Sequence, residues 1–318
     1  MSFDKPRVVV IGAGAMGGLF GGLLAEGGLD VTLIDTWADH IGAIRSRGIR
    51  IVGVGGDRCI PIGAVLDARE VKQADVVLFQ CKAFANEAAA SAARHLFTGS
   101  TVAISFQNGL GNEQRLEAIL GKATVIAGLT AQAGLVEAPG VVRNYGNLPT
   151  HIGELDGGMS ARVEQIAAAF SAHGLPTTPS ATIKREKWKK LLGNVALGAI
   201  SAVTDQRSFE IMAVPELRET VFRLVDEAAA VAKAEGVTLD VAEARSVLMK
   251  LVDTTGGGTG ASKSSMREDI IRRRRTEIDT IHGAVAALAR AHSIATPTLD
   301  TMVSLVKGLE STYLGKGA

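Results

Sequence analysis

Short runs of β-branched and apolar residues recur through the first half of the chain. Each is followed by a longer stretch whose apolar positions repeat at helical spacing. Arg7–Ile11 and Val31–Asp35 are compact apolar runs, read as buried parallel strands, and Asp75–Cys81 and Thr101–Phe106 repeat the theme. Between them lie Ala-rich amphipathic segments at Met16–Glu26, Ala38–Arg47 and Asn86–His95. That β-α-β-α order predicts a doubly wound α/β sheet. From Gly128 to Glu154, turn signals at Ala138-Pro139-Gly140 and Gly146-Asn147 separate strand-like pieces, which predicts an antiparallel extension of the same sheet.

Near Thr177-Thr178-Pro179-Ser180 the pattern changes, and helices are predicted over Thr182–Val203, Pro215–Glu235, Val241–Val252, Ser265–His292 and Thr298–Tyr313. The expected division is an α/β domain over 1–179 and an all-helical domain over 180–318. Thr254–Ser265, with three consecutive glycines, breaks the helices. Its glycines also suit a linker, but it lies deep in the helical half, and a loop bordering a ligand is an equal expectation there.

Composition narrows the classes of function. The 318 residues are 47% hydrophobic and 21% charged, the balance of a packed globular chain with room for two domains. A net charge of +1 gives no electrostatic reason to expect nucleic acid or an anionic membrane as partner. The one basic block, Arg272–Arg275, stands inside a helical pattern beside Glu268, Asp269 and Glu277 and reads as a solvated, ion-paired face. Cys59 and Cys81 fit neither a disulfide framework nor a metal-ligand spacing, so no metal is expected. The first residues lack the order of a signal peptide, and the apolar stretch Leu191–Val203 is interrupted by Asn194 and too short for a bilayer. A cytoplasmic location is the expectation.

The strongest motif is Gly12-Ala13-Gly14-Ala15-Met16-Gly17, placed between the first strand and the first helix. The first glycine allows the turn, the second lets the backbone approach a pyrophosphate, and the third packs helix on strand. The helix N-terminus offers free N–H groups and partial positive charge to the phosphates. Asp35 ends the second strand, where a carboxylate accepts both ribose hydroxyls of an adenosine and repels a 2′-phosphate. Together these predict a Rossmann dinucleotide site. Asp35 taken alone also reads as an N-cap, and S-adenosylmethionine is a second ligand for such a turn, which the helical half argues against.

Lys190 and Asn194, at i and i+4 in Trp188-Lys189-Lys190-Leu191-Leu192-Gly193-Asn194, project from one helix face. A lysine in an apolar helix loses solvation and becomes a better proton donor; without further help, the pair is also an ordinary basic helix start. The chain resembles the ketopantoate reductases along essentially its whole length. The resemblance rests on residues 12–17, Cys-Lys-Ala at 81–83, Gln-Asn-Gly-Leu-Gly at 107–111, the run at 188–194, Ser-Ser-Met at 264–266 and Arg-Thr-Glu-Ile-Asp-Thr-Ile-His-Gly at 275–283. It implies a Rossmann domain joined to an all-helical domain, with the active site in the cleft between them. It also implies that Lys190 is the catalytic lysine and Glu277 the active-site glutamate, although Glu277 alone reads equally as a salt-bridge partner of the preceding arginines. Asn194 and Ser265 are implied to hold the substrate, Asn108 to contact the nicotinamide-ribose side and Lys82 to line the cofactor cleft.

Three positions depart from the family pattern. Ile34-Asp35-Thr36-Trp37 has an acid where many members carry an arginine for the NADPH 2′-phosphate, so the family implies NADPH while Asp35 favours NADH. Gly198 and Ser262 each stand where a substrate asparagine is common, with Ser262 kept as a substrate-binding candidate. The implied activity is NAD(P)H-dependent reduction of a 2-oxo acid, foremost 2-dehydropantoate to pantoate. The alternatives are a paralogous NAD-dependent 2-hydroxy-acid dehydrogenase acting on a bulkier, less polar 2-oxo acid, and a non-enzymatic dinucleotide sensor. The partner expected is thus a small 2-oxo acid, with a homodimer as the assembly the C-terminal helices would allow.

Overall fold

The computed structural model describes residues 3–250 and 264–315. Ser262, and all but the last two positions of the predicted loop Thr254–Ser265, lie outside the described residues. The chain forms two compact units, one of residues up to Gln107 with Asn112–Lys184, the other of Asn108–Gly111 with the chain from Arg185 on.

The first unit holds twelve strands among the described residues: β1 (Val8–Ile11), β2 (Val31–Ile34), β3 (Ile49–Gly53), β4 (Arg58–Ile60), β5 (Gly63–Val65) and β6 (Val76–Phe79) come first. They are followed by β7 (Val102–Ser105), β8 (Val125–Thr130), β9 (Gly134–Ala138), β10 (Val141–Asn144), β11 (Thr150–Gly153) and β12 (Thr177–Pro179). The larger sheet runs β12-β11-β8-β7-β6-β1-β2-β5. Its strands from β8 to β5 are parallel, and β11 is antiparallel to β8. β1, β6 and β7 are buried at every position, which is why VVVI, VVLF and VAIS show no alternation: both faces of the sheet are covered. The strand order departs in opposite directions on the two sides of β1, the topology that leaves a crevice at the carboxyl ends of the strands.

The expected antiparallel extension is corrected in part. β8 and β11 do extend the large sheet, but β9 and β10 leave it and join β3 and β4 in a second sheet, ordered β4-β3-β10-β9. The alternating burial of β10 explains the choice, since only one face finds a partner. That partner is α1 (Ala15–Glu26). A Cβ at Gly21 would stand 2.5 Å from Leu33 Cδ2 of the large sheet. A Cβ at Gly22 would stand 2.7 Å from Ile51 Cδ1, and one at Gly18 3.0 Å from Val142 Cγ2, both of the small sheet. The helix is held between the two sheets because it lacks side chains on both faces. α2 (Ala38–Arg47), α3 (Asn86–Ala93), α4 (Asn112–Leu120) and α5 (Ala161–Ala172) complete the unit. α5 starts at Ser160, whose hydroxyl accepts from Val163 N at 3.3 Å.

The second unit is helical: α6 (Ile183–Thr204), α7 (Ser208–Ala213), α8 (Pro215–Ala234), α9 (Val241–Lys250), α10 (Ser265–Ile271), α11 (Ile278–Ala291) and α12 (Pro297–Ser311). Trp188, Leu191, Leu192, Val195 and Ala199 supply the buried stripe of α6 and meet Val221, Leu224, Val285 and Leu299 in one core. The single helix predicted over Ser265–His292 is two. Arg273 takes φ +52, Arg273 N–H bonds Ile270 O and Arg274 N–H bonds Asp269 O, so the chain leaves the helix at Ile271. Side chains then capture the next amides, Glu310 accepting from Thr276 N at 2.6 Å and Thr276 Oγ1 from Ile278 N at 3.2 Å. The four arginines therefore occupy an exposed turn, ion-paired as expected through Arg272–Glu268 and Arg275–Asp279. Among the described residues, no helix is long and apolar enough to cross a membrane.

His282 is fully buried on α11; its Nε2–H donates to Val195 O at 2.9 Å, and Nδ1 has no partner among the described residues. Burial pushes its pKa down to about 4 from the usual 6.5. The unfolded chain therefore takes up a proton that the folded chain refuses, and stability falls as pH drops from 6.5 to about 4. The loss should reach roughly 3 kcal/mol in denaturant titrations, and His282→Phe should remove this pH-dependent component.

Candidate functional site

In the first unit, the glycine-rich turn leaves β1 at Gly12, whose φ of +96° suits glycine alone. A Cβ there would stand 2.4 Å from Cys81 N, and one at Gly17 would stand 1.8 Å from Gly12 O. Gly14 is different: a Cβ there meets nothing within 4 Å. Two glycines thus permit tight packing inward, while the third keeps an open approach at the N-terminus of α1, where Gly14 is the N-cap. Ala15 and Met16 open the helix, so their amides belong to its first turn. The residues fit the cradle a pyrophosphate needs.

The carboxylate of Asp35 is held at the end of β2 by two backbone donors. Oδ2 accepts from Ala13 N at 2.8 Å and Oδ1 from Trp37 N at 3.0 Å. The N-cap of α2 is Trp37, so Asp35 does not cap that helix. A residue without a sequence signal completes the turn. His40 is fully buried; its Nδ1 accepts from Gly140 N at 3.0 Å, so its Nε2 carries the proton donated to Ala13 O, also at 3.0 Å. Burial, chiefly, lowers its pKa.

The segment against which Gly12 rests is pinned by buried amides. Gln107 Nε2 donates to Cys81 O and to Asn86 Oδ1, both at 2.6 Å, and Asn86 Nδ2 donates to Asn112 Oδ1 at 3.1 Å. Lys82, half-buried, follows directly at the start of a short 3-10 turn. Cys81 serves this scaffold, its thiol lying 3.7 Å from Asn86 Oδ1.

In the second unit, Lys190 on α6 donates from Nζ to Asn108 Oδ1 at 2.9 Å. Asn108 reaches it from the four-residue segment Asn108–Gly111, which docks on α11. Leu110 N–H donates to Thr280 O at 2.9 Å, and a Cβ at Gly109, φ +86°, would stand 2.1 Å from the same oxygen. Desolvation is the main cause that lowers the Lys190 pKa to about 8; the charge of Lys187 adds to it and that of Glu277 opposes it. Glu277 is the N-cap of α11, placed there by the helix break, and its carbonyl accepts from Ile281 N. Lys187, 8% exposed one turn before Lys190, is a contributor that its motif signalled only as part of a basic run.

Asn194 and Gly198 follow Lys190 along α6 at successive four-residue steps, with Asn194 half-buried. A Cβ at Gly198 would meet His282 Cε1 at 3.8 Å and Met266 Cε at 4.0 Å, ordinary contacts, so a side chain there is absent by sequence and not by crowding. Ser265 is the exposed first residue of α10, whose N-cap Ser264 accepts from Arg267 N at 3.1 Å.

Comparison with known proteins gives consistent matches over nearly the whole chain. The family model described as Ketopantoate reductase PanE/ApbA matches residues 8–157, and its C-terminal counterpart matches 182–310. A 2-dehydropantoate 2-reductase of Halobacterium salinarum is 37% identical over 95% of this chain and 98% of its own. One of Pyrococcus abyssi is 33% identical over 96% and 98%. Among solved structures, a D-mandelate dehydrogenase with NADH and anilino(oxo)acetate superposes with a TM-score of 0.90 at 29% identity, covering 96% of this chain and 99% of that one. A PanE/ApbA family ketopantoate reductase from Ralstonia eutropha JMP134 gives 0.87 at 30%, with the same coverage.

Gly12 and Gly14 are separable by stability alone. Gly12→Ala should destabilise the protein by on the order of 1–3 kcal/mol through strained backbone and contact with Cys81 N, whereas Gly14→Ala should cost less, about 0.5–1 kcal/mol, the ordinary loss at an N-cap.

Proposed function

Because the chain belongs to the ketopantoate reductase family, we propose that it reduces 2-dehydropantoate to pantoate with a nicotinamide dinucleotide as hydride donor. The observation that carries this reading is Lys190, a desolvated lysine with its pKa near 8 and its ammonium already hydrogen-bonded to Asn108. A 2-oxo acid needs a proton donor for the negative charge that develops on its carbonyl oxygen and polar groups for its carboxylate. Lys190 gives that proton. Glu277 hydrogen-bonds the substrate and keeps part of the lysine population charged, the direction in which its own charge acts on Lys190. Asn194, Ser265 and Ser262 hold the substrate. The dinucleotide, when bound, supplies the hydride, which leaves orientation and proton delivery to the protein. The turn at Gly12, Gly14, Ala15, Met16 and Gly17 takes the pyrophosphate, Asp35 the adenosine ribose, Asn108 the nicotinamide-ribose side, and Lys82 lines the cofactor site.

Steady-state kinetics test the reading. 2-Dehydropantoate should show a higher kcat/KM than branched and aromatic 2-oxo acids. Because Lys190 must be protonated to act, kcat for reduction should fall as pH rises through about 8. Lys190→Ala should lower kcat by about 10²–10⁴-fold while cofactor affinity is kept. No turnover of any 2-oxo acid by the wild type would instead favour a dinucleotide sensor.

The finer cofactor reading is NADH over NADPH. Asp35 is fixed by Ala13 N and Trp37 N just past β2, and with the adenosine ribose on that carboxylate a 2′-phosphate would face a like charge, which is costly. The expected result is a higher kcat/KM with NADH, and a smaller NADH-to-NADPH ratio in Asp35→Asn. A higher value with NADPH would overturn it and assign the phosphate to Lys82 and main-chain groups.

A further inference from the structure

Trp37 is an anomaly that the reaction leaves unexplained. It is a large apolar ring, 41% exposed, in a chain with only two tryptophans, the other of which is buried in the helical core. Its indole is stacked on the His40 imidazole at 5.0 Å between centroids and 13° between planes. His40 is in turn fastened on both sides, to Ala13 O of the glycine-rich turn and to Gly140 N of the β9–β10 hairpin. Trp37 N donates to the carboxylate of Asp35, whose other oxygen holds Ala13 N. Backbone and ring contacts thus lock the indole to the same turn and the same carboxylate that define the nucleotide end of the site.

We propose that Trp37 is the platform on which the adenine of the cofactor stacks, with His40 as the pedestal that fixes the platform relative to the glycine-rich turn. The proposal rests on the reading that Asp35 takes the adenosine ribose. The base is bonded to that sugar, so it must lie one ring away from the carboxylate, and Trp37 is the aromatic side chain anchored there. The imidazole stacks on one indole face, and Trp37 stays 41% exposed, with apolar area on which a purine can stack. A base on such a surface gains by stacking without hydrogen-bond readout, so the platform adds affinity for the adenosine half while Asp35 sorts the 2′-substituent. The pedestal needs a neutral histidine, because Nδ1 must keep its lone pair for Gly140 N–H.

The test uses ADP-ribose, which carries the adenosine half without a nicotinamide, and reduced nicotinamide mononucleotide, which carries only the other half. Binding is measured by calorimetry on the full chain for wild type, Trp37→Phe, Trp37→Ala and Asp35→Asn. Trp37→Ala should weaken ADP-ribose by roughly tenfold or more, Trp37→Phe should recover most of that, and the mononucleotide should bind all of them alike. ADP-ribose should also quench tryptophan fluorescence in the wild type and not in Trp37→Phe, since Trp188 is buried in the other unit. Unchanged ADP-ribose affinity in Trp37→Ala overturns the platform, and so does an equal loss of both ligands, which would mark a merely structural ring. A loss in Asp35→Asn without one in Trp37→Ala overturns the platform alone. No loss in either variant overturns the ribose reading along with it.

Discussion

A helix without side chains on two of its faces is the constraint from which the first unit follows. α1 carries glycine at 17, 18, 21 and 22, and at each of them a Cβ would collide with a neighbour at 3.0 Å or less. Leu33 of one sheet and Ile49, Ile51 and Val142 of the other press on opposite sides of the helix. Backbone packed this closely gains dispersion contacts at the entropic cost glycine carries in a helix, and that cost is met only where both faces are buried. The arrangement fixes the direction of the helix axis. Its N-terminus, its free amides and the open approach at Gly14 are thereby aimed with the rigidity of two sheets behind them.

The polar groups around that turn are there to hold backbone. Ala13 alone is gripped twice, through its N–H by Asp35 and through its carbonyl by His40. Cys81, the backbone on which Gly12 rests, is held by Gln107. Buried hydrogen bonds of this kind are expensive to leave half made, so they specify one geometry of the turn and penalise its neighbours.

The second unit answers a different problem, a charge that must be lowered in cost without being removed. Lys190 stands on an apolar helix, loses water, and feels Lys187 on the same helix; both effects favour the neutral amine. Glu277 and the carbonyl oxygen of the Asn108 side chain favour the cation. The balance lies near pH 8, so charged and neutral forms of Lys190 coexist there. Glu277 owes its place to a helix break that Thr276 and Glu310 enforce, and Asn108 owes its place to a loop that glycine lets approach Thr280.

Much of this was legible in the residues. Buried parallel strands announce themselves by unbroken apolar runs, the turn by its glycine spacing, and the depressed pKa of Lys190 by the apolar helix around it, because each is a local consequence of local sequence. The order of motifs along the chain likewise carried the family. Four things were not legible. The second sheet was not legible because the strand signals of β9 and β10 do not name their partner, and only packing against α1 decides which sheet they join. The break at Arg272–Glu277 was not legible because helical periodicity continues through it, and the Thr276 amide is claimed by Glu310, 34 residues away. The tie between Lys190 and Asn108 spans 82 positions. His40 has no motif at all, and its meaning lies in two backbone groups, one of them 100 residues distant. The chain's periodicities and spacings determined its elements and its glycine-rich turn. Which sheet, which cap and which partner each group meets was decided by tertiary structure, because those energies depend on neighbours brought together only when the chain folds.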